Sequence, residues 1–358
     1  MNDKATPTEK KSGSGFMIEI KDIKSDSGNI KRFILKSEEL TVCIINYGAT
    51  VTDVIYDGRD VVLGCATAEE YTHSGYYFGA TIGRVCNRIG KGRFVLNGKE
   101  YRVTVNQGNN SLHGGKRGFD KRFFDYSVKG DKLELSYLSA DGEEGYPANL
   151  SVKAVYYVKG ADLHIEYEAI PDADTVCNMT NHSYFNLNGQ GNSEVLNHSL
   201  YVNADYIVPI NEEKLPTGTF LAVDDTPFDF RTPSVIAERI NNAHPQIVNG
   251  KGLDHAFLLN GSGLRKVATV IGDKSGIKLD VITDQKALQV YCARFSNAVV
   301  GKNGKAYRGY AALCLEAEGL PDAANNPRFP GIAVKKGEKY AYKTIYRFGK
   351  DQNDKNRF

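Results

Sequence analysis

The chain has 358 residues, of which 41% are hydrophobic and 25% are charged, a composition typical of a globular protein that buries a core. Its 45 Lys and Arg residues against 43 Asp and Glu residues give a formal net charge of +2. This balance argues against a nucleic-acid partner or an anionic membrane surface, because both are usually bound by a basic patch. No apolar run approaches the roughly 20 residues of a membrane-spanning helix.

The two ends of the sequence differ from its middle. Residues 1–15 are polar and lack the apolar stretch of a secretory signal, so they are predicted to form a disordered leader, and the cytoplasm is the predicted location. Residues 16–349 have evenly spaced turn signals, which favours one domain, and residues 350–358 are predicted to be a polar tail. The six cysteines are scattered without a C-x-x-C pair, so we expect buried free thiols and no zinc site.

Three segments alternate apolar and polar residues with the period of a β-strand: KEYRVTV (99–105), KLELSYL (132–138) and ADLHIEYEAI (161–170). His164 shares a strand face with two glutamates and is predicted to be solvated. Turn signals such as YDGRD, LNGKE and VKGDK separate these runs. Many short strands without intervening helices predict an antiparallel all-β protein, a single large sandwich.

Helical patterns are scarce. The best is TPSVIAERI, in which Thr232 is predicted to be the N-cap and Pro233 the first helical residue. The segment TAEEYTHSG (67–75) predicts a second short helix.

Two histidines lie among unusual neighbours. His113, in NQGNNSLHGG, lies in a sharply bent loop that leaves its ring accessible, although a surface-loop histidine would look the same. In the strand-like NMTNHSYFNLNG, His182 and Tyr184 share one face and Ser183 lies on the other. The polar face is a candidate binding surface; the alternative for His182 is a core histidine satisfied by a neighbouring asparagine.

Glu316 ends a row of small residues on the apolar strand YAALCLEAE. Such a carboxylate would be partly desolvated, which raises its pKa and suits a general base near neutral pH; the alternative is a strand-end glutamate that reaches water. In ALQVYCAR, Gln289 and Tyr291 share a face. Arg88 follows Asn87 near the start of a strand and could equally be an ion-pair partner.

Seven segments in order, GRVCNRIGKGRFVLNGKEY, NNSLHGG, DGEEGYPANL, TNHSYFNL, TPFDFR, GLDHAF and LCLEAEGLPDAANNP, resemble the aldose 1-epimerase (galactose mutarotase) family. The resemblance covers roughly residues 17–349. It implies a large antiparallel β-sandwich of the galactose mutarotase type with few short helices, an open sugar cleft, no cofactor and no metal. It also implies an aldose substrate, neither nucleic-acid nor membrane binding, and a monomer or homodimer.

The resemblance also assigns roles by position. Glu316 would be the proton acceptor and His182 the proton donor, with His113 as a second candidate for the acid. The residues that would bind sugar hydroxyls or flank the acid are Asn87, Arg88, His113, Ser183, Tyr184, Asp254 and Gln289. Many family members carry Thr-Gln where this chain has Ala317 and Glu318. The extra carboxylate would either raise the pKa of the base or face water.

These roles predict that α and β anomers interconvert through ring opening, rotation about C1–C2 and ring closure. Three other functions remain open from the sequence. A glycoside hydrolase would use Glu316 and Asp254 as its carboxylate pair. A lectin-like module would bind sugar without acid–base chemistry. A mutarotase for phosphorylated hexoses would need a cluster of Arg or Lys at the rim of the cleft.

Overall fold

The structure, a computed structural model, describes residues 8–11 and 17–351. Its first strands, in chain order, are β1 Thr8–Lys11, β2 Met17–Ser25, β3 Gly28–Lys36, β4 Leu40–Ile45, β5 Thr50–Tyr56, β6 Arg59–Asp60, β7 Thr81–Ile82, β8 Arg88–Ile89, β9 Arg93–Leu96, β10 Lys99–Arg102, β11 Ser111–Leu112, β12 Asp125–Lys129, β13 Lys132–Ser139, β14 Leu150–Lys159 and β15 Asp162–Pro171.

The later strands are β16 Thr175–Val176, β17 Thr180–Asn181, β18 Tyr184–Phe185, β19 Ser199–Val202, β20 Ala204–Ile207, β21 Leu221–Ala222, β22 Ser234–Val235, β23 Asp254–Leu259, β24 Arg265–Ile271, β25 Ile277–Thr283, β26 Ala287–Val300, β27 Ala306–Glu318, β28 Ala333–Val334 and β29 Tyr340–Lys350. The helices are α1 Glu70–His73, α2 Ile236–Ile240 and α3 Pro245–Gly250. Single 3₁₀ turns span Gly90–Gly92, Phe119–Lys121, Glu143–Gly145 and Lys302–Gly304.

Three large antiparallel sheets form the framework. The N-terminal sheet is a meander of β1 to β6 in sequence order, and the nine-stranded sheet has the order β12-β13-β14-β15-β29-β25-β24-β19-β22. The third, which we call the hairpin sheet, has the order β18-β27-β26-β23-β20-β21 and contains the long β26–β27 hairpin. Four two-stranded pairs, β9–β10, β8–β11, β16–β28 and β7–β17, complete the strands. The predicted antiparallel all-β architecture is confirmed.

The main hydrophobic core joins all three large sheets. Its buried side chains include Phe33 of the N-terminal sheet, Leu279 of the nine-stranded sheet and Leu288 and Leu313 of the hairpin sheet. Burial of apolar surface between sheets is the dominant favourable contribution to folding, so the hairpin sheet is held on a packed support. In the described part of the chain, no helix is both long and apolar enough to cross a membrane.

The strand predictions hold where alternation is strict. The segments 132–138 and 161–170 lie in β13 and β15, which pair with their neighbours along their length. The predicted strand 99–105 stops at Arg102, because the next backbone N–H groups leave the ladder: Val103 donates to Gly92 O and Thr104 to Glu144 O.

The prediction that His164 is solvated was wrong. Its ring is only 8% exposed and stacks on that of Tyr157, with a centroid separation of 4.3 Å. The two residues face each other across β14 and β15. Burial lowers the pKa of His164 to about 4, so the ring is neutral at physiological pH. The alternation was predicted correctly, but the ring of Tyr157 on the neighbouring strand covers the imidazole that we expected water to reach.

The second short helix was predicted correctly and is α1. The predicted N-cap at Thr232 was wrong, because Ser234 pairs with Leu200 of β19 and the helix α2 begins only at Ile236. The predicted disordered leader is corrected for residues 8–11, which form β1 on the edge of β2. Residues 1–7 and 12–15 of the predicted leader lie outside the described residues. The same holds for residues 352–358 of the predicted tail.

Candidate functional site

A cavity of about 220 Å³ lies at the hairpin sheet and the loops beside it. The structure brings almost all of the predicted site residues to its wall: Asn87, Arg88, His113, His182, Tyr184, Asp254, Gln289 and Glu316. The exception is Ser183, whose hydroxyl donates instead to Asn181 Oδ1 at 2.6 Å. The residues come from distant parts of the sequence, so the fold itself assembles the site.

Adjacent strands of the hairpin sheet supply the carboxylates and the amide. Gln289 on β26 lies opposite Glu316 on β27, and Tyr291 lies opposite Asp254 on β23. Residues two apart on a strand point to the same face, which explains why Gln289 and Tyr291 both line the cavity, as their alternation predicted.

Glu316 and His182 meet at the centre of the cavity. Glu316 Oε1 lies 3.5 Å from His182 Nε2, and the residues are 2% and 3% exposed. Each also has a buried polar atom, Glu316 Oε2 and His182 Nδ1, that has no hydrogen-bond partner among the described residues. Buried polar groups are nearly always paired in proteins, so these unpaired atoms indicate that a polar ligand completes the site.

Aromatic rings fix the orientation of His182. Its imidazole lies between two nearly parallel rings, that of Tyr184 at 4.8 Å and that of Tyr77 at 5.8 Å between centroids. The predicted continuous strand is interrupted here: β17 ends at Asn181 and β18 begins at Tyr184. The interruption places His182 at the cavity, where its backbone N–H donates to Ala80 O.

His113 and Asn87 are locked together. The backbone N–H of Asn87 donates to His113 Nδ1 at 3.1 Å, and the backbone N–H of His113 donates to Asn87 O at 3.0 Å. Both residues have positive φ, 58° and 53°, an uncommon conformation that clusters at functional sites. The next residue, Gly114, packs directly against the backbone of Gly83, and a Cβ at Gly114 would lie 1.9 Å from Gly83 O.

Asp254 and Arg88 are each held by two partners. Asp254 Oδ2 accepts from Lys214 Nζ at 2.6 Å, and its Oδ1 accepts from Gln289 Nε2 at 2.7 Å. Arg88 Nε donates to Gln107 Oε1 at 2.8 Å, and its backbone N–H donates to Asn87 Oδ1. These contacts fix an array of donors and acceptors before any ligand arrives, which lowers the cost of binding.

Burial moves the pKa values of the two central groups in opposite directions. It raises the pKa of Glu316 well above its usual range, and the charges of Glu318 and Asp254 raise it further. Burial lowers the pKa of His182 to about 4, although Asp254 partly opposes the shift. Burial also lowers the pKa of His113 well below its usual value, and His182 adds to the effect. Burial of the site therefore disfavours charge on all three groups.

The ring nitrogens of His113 and His182 and a carboxylate oxygen of Glu316 lie within 4.8 Å of one another. Imidazole and carboxylate are also common metal-ligand types. In this structure His113 is hydrogen-bonded reciprocally with Asn87, and His182 approaches Glu316 directly. The predicted absence of a metal and of a cofactor stays a prediction.

Sequence reasoning missed three cavity residues that hold the site in place: Tyr77, Gln107 and Lys214. Lys214 has a positive φ of 61° in an irregular loop, and its contact with Asp254 spans 40 residues, so no local pattern reveals it. The consecutive tyrosines before Phe78 in SGYYFG were a signal for an aromatic surface that could have been used.

A second cavity of about 270 Å³ lies beside the N-terminal sheet. Its charged side chains are already paired with each other, Arg32 with Asp53 at 3.0 Å and Lys302 with Asp60 at 2.7 Å. These ion pairs tie the Lys302–Gly304 turn to the sheet, which is a structural role. The cavity at Glu316 remains the better candidate for catalysis.

Comparisons with known proteins identify the family of the chain. Residues 31–347 match the family described as aldose 1-epimerase. The chain is 41% identical to the galactose mutarotase of Bos taurus over 334 residues, which cover 91% of this chain and 96% of the relative. It is 36% identical to the aldose 1-epimerase of Escherichia coli, covering 86% of this chain and 92% of the relative.

Solved structures give the same result for the fold. The crystal structure of a galactose 1-epimerase from Lactobacillus acidophilus superposes with a TM-score of 0.82 at 29% identity, covering 92% of this chain and 97% of the other. An aldose epimerase homologue from C. elegans has a TM-score of 0.81 at 27% identity, covering 93% and 99%. The predicted β-sandwich of the galactose mutarotase type is confirmed.

Proposed function

The chain belongs to the aldose 1-epimerase family and is an isomerase that interconverts sugar anomers, and we propose that it acts on D-galactose and D-glucose with His182 as proton donor and Glu316 as proton acceptor. The main support for this proposal is the contact between Glu316 and His182. A carboxylate and an imidazole lie 3.5 Å apart in a buried cavity, and each retains an atom without a partner among the described residues.

The pair acts on the two oxygens of the hemiacetal. Glu316 removes the proton from the hydroxyl on C1 while His182 donates a proton to the ring oxygen, and the bond between C1 and the ring oxygen breaks. The open-chain aldehyde rotates about C1–C2, and ring closure on the other carbonyl face reverses both transfers. The sum is one anomer converted to the other, with no net proton gained or lost. Each positioned acid or base contributes about 10²- to 10⁴-fold in rate.

The reactive state of the pair carries one proton in total. The raised pKa of Glu316 and the lowered pKa of His182 favour this proton on the carboxyl group. The reactive form has the proton on His182, and hydrogen bonds from the sugar hydroxyls stabilise the ionised carboxylate. Interacting groups of this kind titrate as a pair rather than as separate residues.

The other cavity residues hold the sugar while it reacts. Asp254 and Gln289 present an acceptor and an amide to the distal hydroxyls, and Arg88 and Asn87 present donors and acceptors nearer the histidines. Each hydroxyl needs both a donor and an acceptor, and the fixed array supplies both. The aromatic ring of Tyr291 provides an apolar surface for the sugar ring.

His113 is a hydrogen-bond donor rather than a second acid. Its Nδ1 accepts the backbone N–H of Asn87, so the neutral ring carries its proton on Nε2. Protonation of Nδ1 would break that bond, and the lowered pKa of His113 opposes it as well. We propose that the ring donates through Nε2 to an oxygen near C1.

The rival functions fit the geometry less well. A hydrolase would need Asp254 free to act as nucleophile or base, whereas both of its oxygens are engaged by Lys214 and Gln289. A phosphorylated hexose would need a cluster of unpaired cations, but of the two cations that line the cavity within the described residues, Lys214 is ion-paired with Asp254, which leaves Arg88 alone. A lectin would need no buried acid–base pair.

The decisive experiment is an anomer-exchange assay by polarimetry, with freshly dissolved α-D-galactose and α-D-glucose and a panel of other aldoses. We expect exchange well above the spontaneous rate, unchanged by EDTA, and no release of sugar from aryl galactosides. Binding of galactose without accelerated exchange would support the lectin, and release from aryl galactosides would support the hydrolase.

The pH dependence of kcat/KM should be bell-shaped. Below the pKa of His182, about 4, the pair takes up a second proton and loses its base. Above the raised pKa of Glu316 the pair loses its only proton and therefore its acid. The alkaline limb should therefore lie well above the pH at which an ordinary carboxyl group titrates. Initial rates from pH 3 to 10, corrected for spontaneous exchange, measure both limbs; an alkaline limb near pH 4.5 would contradict these assignments.

Lys214→Met should weaken substrate binding. It removes the 2.6 Å ion pair that orients Asp254, and a hydrogen bond to a charged group contributes about 1.5–3 kcal/mol, so we expect KM to rise about tenfold or more with a smaller change in kcat. Steady-state kinetics on galactose measure both. The control Lys24→Met changes an exposed lysine of β2 and should leave both constants unchanged. A K214M enzyme with the wild-type KM would show that Asp254 does not need this partner.

We propose that the protein is cytoplasmic and is a monomer or homodimer. All six cysteines are free thiols, and free thiols persist in reducing compartments, which supports the cytoplasm. The proposed assembly is a monomer or homodimer, and small-angle scattering of the purified protein would distinguish the two.

A further inference from the structure

Glu318 is a buried carboxylate that the reaction above does not use. It is the last residue of β27, two positions after Glu316, and is 0% exposed. Residues two apart on a strand point to the same side, so the side chain of Glu318 points to the same side of β27 as that of Glu316. Burying a carboxylate costs folding free energy unless its oxygens are hydrogen-bonded. The hydrogen-bond partners of Glu318 therefore indicate its role.

Those partners belong to the segment that lines the sugar cavity. Glu318 Oε1 accepts from Asn87 Nδ2 at 3.0 Å, and its Oε2 accepts from Cys86 Sγ at 3.0 Å. The first contact fixes which way the Asn87 amide points. With Nδ2 turned to the carboxylate, Asn87 Oδ1 accepts from the backbone N–H of Arg88 at 3.0 Å and lies 3.4 Å from its Nη1.

The same residue is linked to the histidine loop. The backbone N–H of Asn87 donates to His113 Nδ1 and so sets the tautomer of that ring. Asn87 also has a positive φ of 58°, a conformation that side-chain contacts must stabilise. One buried carboxylate thus holds the residue from which both Arg88 and His113 take their orientation.

We propose that Glu318 is a positioning residue for the isomerase reaction, holding the Asn87 amide, and through it Arg88 and His113, in the arrangement that receives the sugar. The inference rests on the proposed roles of those residues. It assigns Glu318 no contact with the substrate, because Glu318 does not line the cavity.

The charge of Glu318 also acts on Glu316. The groups that act on Glu318 are Glu316 on its own strand, Cys86 from the loop before β8, Arg88 at the start of β8, Asp254 from β23, and the uncharged Ala287 opposite it on β26. Burial raises the pKa of Glu318 to about 7. Once ionised, it opposes the ionisation of Glu316 and raises the pKa of that residue.

Two variants separate the contact from the charge. Glu318→Leu removes the acceptor for Asn87, and we expect KM for galactose to rise about tenfold, as for other hydrogen bonds to charged groups. Glu318→Gln keeps an oxygen that can accept from Asn87 but removes the charge. We expect its KM to stay within about threefold of wild type, while the alkaline limb of kcat/KM moves to lower pH because Glu316 then loses its proton more easily.

Binding of 1,5-anhydro-D-galactitol, which lacks the anomeric hydroxyl and cannot react, measures the positioning effect without turnover. Weaker binding by E318L, restored in E318Q, would support the proposal. Wild-type binding, KM and pH profile in both variants, with only a lower Tm, would overturn it. Should E318L fail to fold, weakened binding of 1,5-anhydro-D-galactitol by E318Q, which keeps the acceptor for Asn87, would overturn it equally. An inactive wild-type enzyme would instead refute the proposed function.

Discussion

Replacing Glu316 with Gln should lower the rate of mutarotation by about 10²- to 10⁴-fold, the contribution expected of one positioned general base. The amide keeps the shape of the side chain but cannot accept the proton of the C1 hydroxyl. The loss should fall on kcat, because the cavity residues that hold the distal hydroxyls are unchanged. Polarimetry with α-D-galactose, corrected for spontaneous exchange, measures it.

The stability of this variant gives a second readout. Burial raises the pKa of Glu316, so ionisation of this group lowers the free energy of unfolding. The loss grows as the pH rises above the pKa that Glu316 has in the unfolded chain. Glu316→Gln removes that loss, so its Tm should equal or exceed that of wild type at pH 8. The exposed Glu38 provides the matched control, Glu38→Gln, with unchanged rate. An active E316Q enzyme would exclude Glu316 as the base.

Replacing His182 with Asn should reduce kcat by a similar factor of about 10²- to 10⁴-fold, because the ring oxygen would then lack its proton donor. The imidazole has no hydrogen-bond partner at Nδ1 among the described residues, so few structural bonds are lost. Binding of 1,5-anhydro-D-galactitol, measured by calorimetry, should change much less than kcat.

His113→Asn is the informative comparison. His113 is proposed to donate a hydrogen bond without transferring a proton, so its loss should cost less in kcat than the loss of His182. An H182N protein that unfolds, while its folded fraction still binds and reacts, would identify His182 as a structural core histidine. A larger kcat loss in H113N than in H182N would reverse the proposed roles of the two rings.

Local sequence patterns predicted the parts of the site that lie on long strands. The alternation in β26 and β27 placed Gln289, Tyr291 and Glu316 correctly, because a strand's side-chain period is a property of the backbone alone. The sequence also suggested a desolvated Glu316, since its neighbours on that face are small and apolar.

Other features of the site and the fold could not be predicted, because they depend on contacts between residues that are distant in the sequence. The strand predicted through His182 is interrupted, and only the packing of that segment against residues 79–82 decides where it breaks. Lys214 reaches Asp254 from a loop, and β14 covers His164. The helix start at Ile236 was displaced by strand pairing with β19, a case in which tertiary contacts outweigh capping propensity.

The two residues of the proposed proton-transfer pair lie on backbone with different strand pairing. Glu316 lies inside the longest hairpin of the molecule, whereas His182 lies in a short gap between two-residue strands that pair with β7 and β27. Local opening starts where cooperative hydrogen bonding is sparse. On heating, we expect the pairing around the imidazole to open before the long strands separate, so efforts to extend the working temperature belong in residues 77–82 and 180–185 rather than in the long strands.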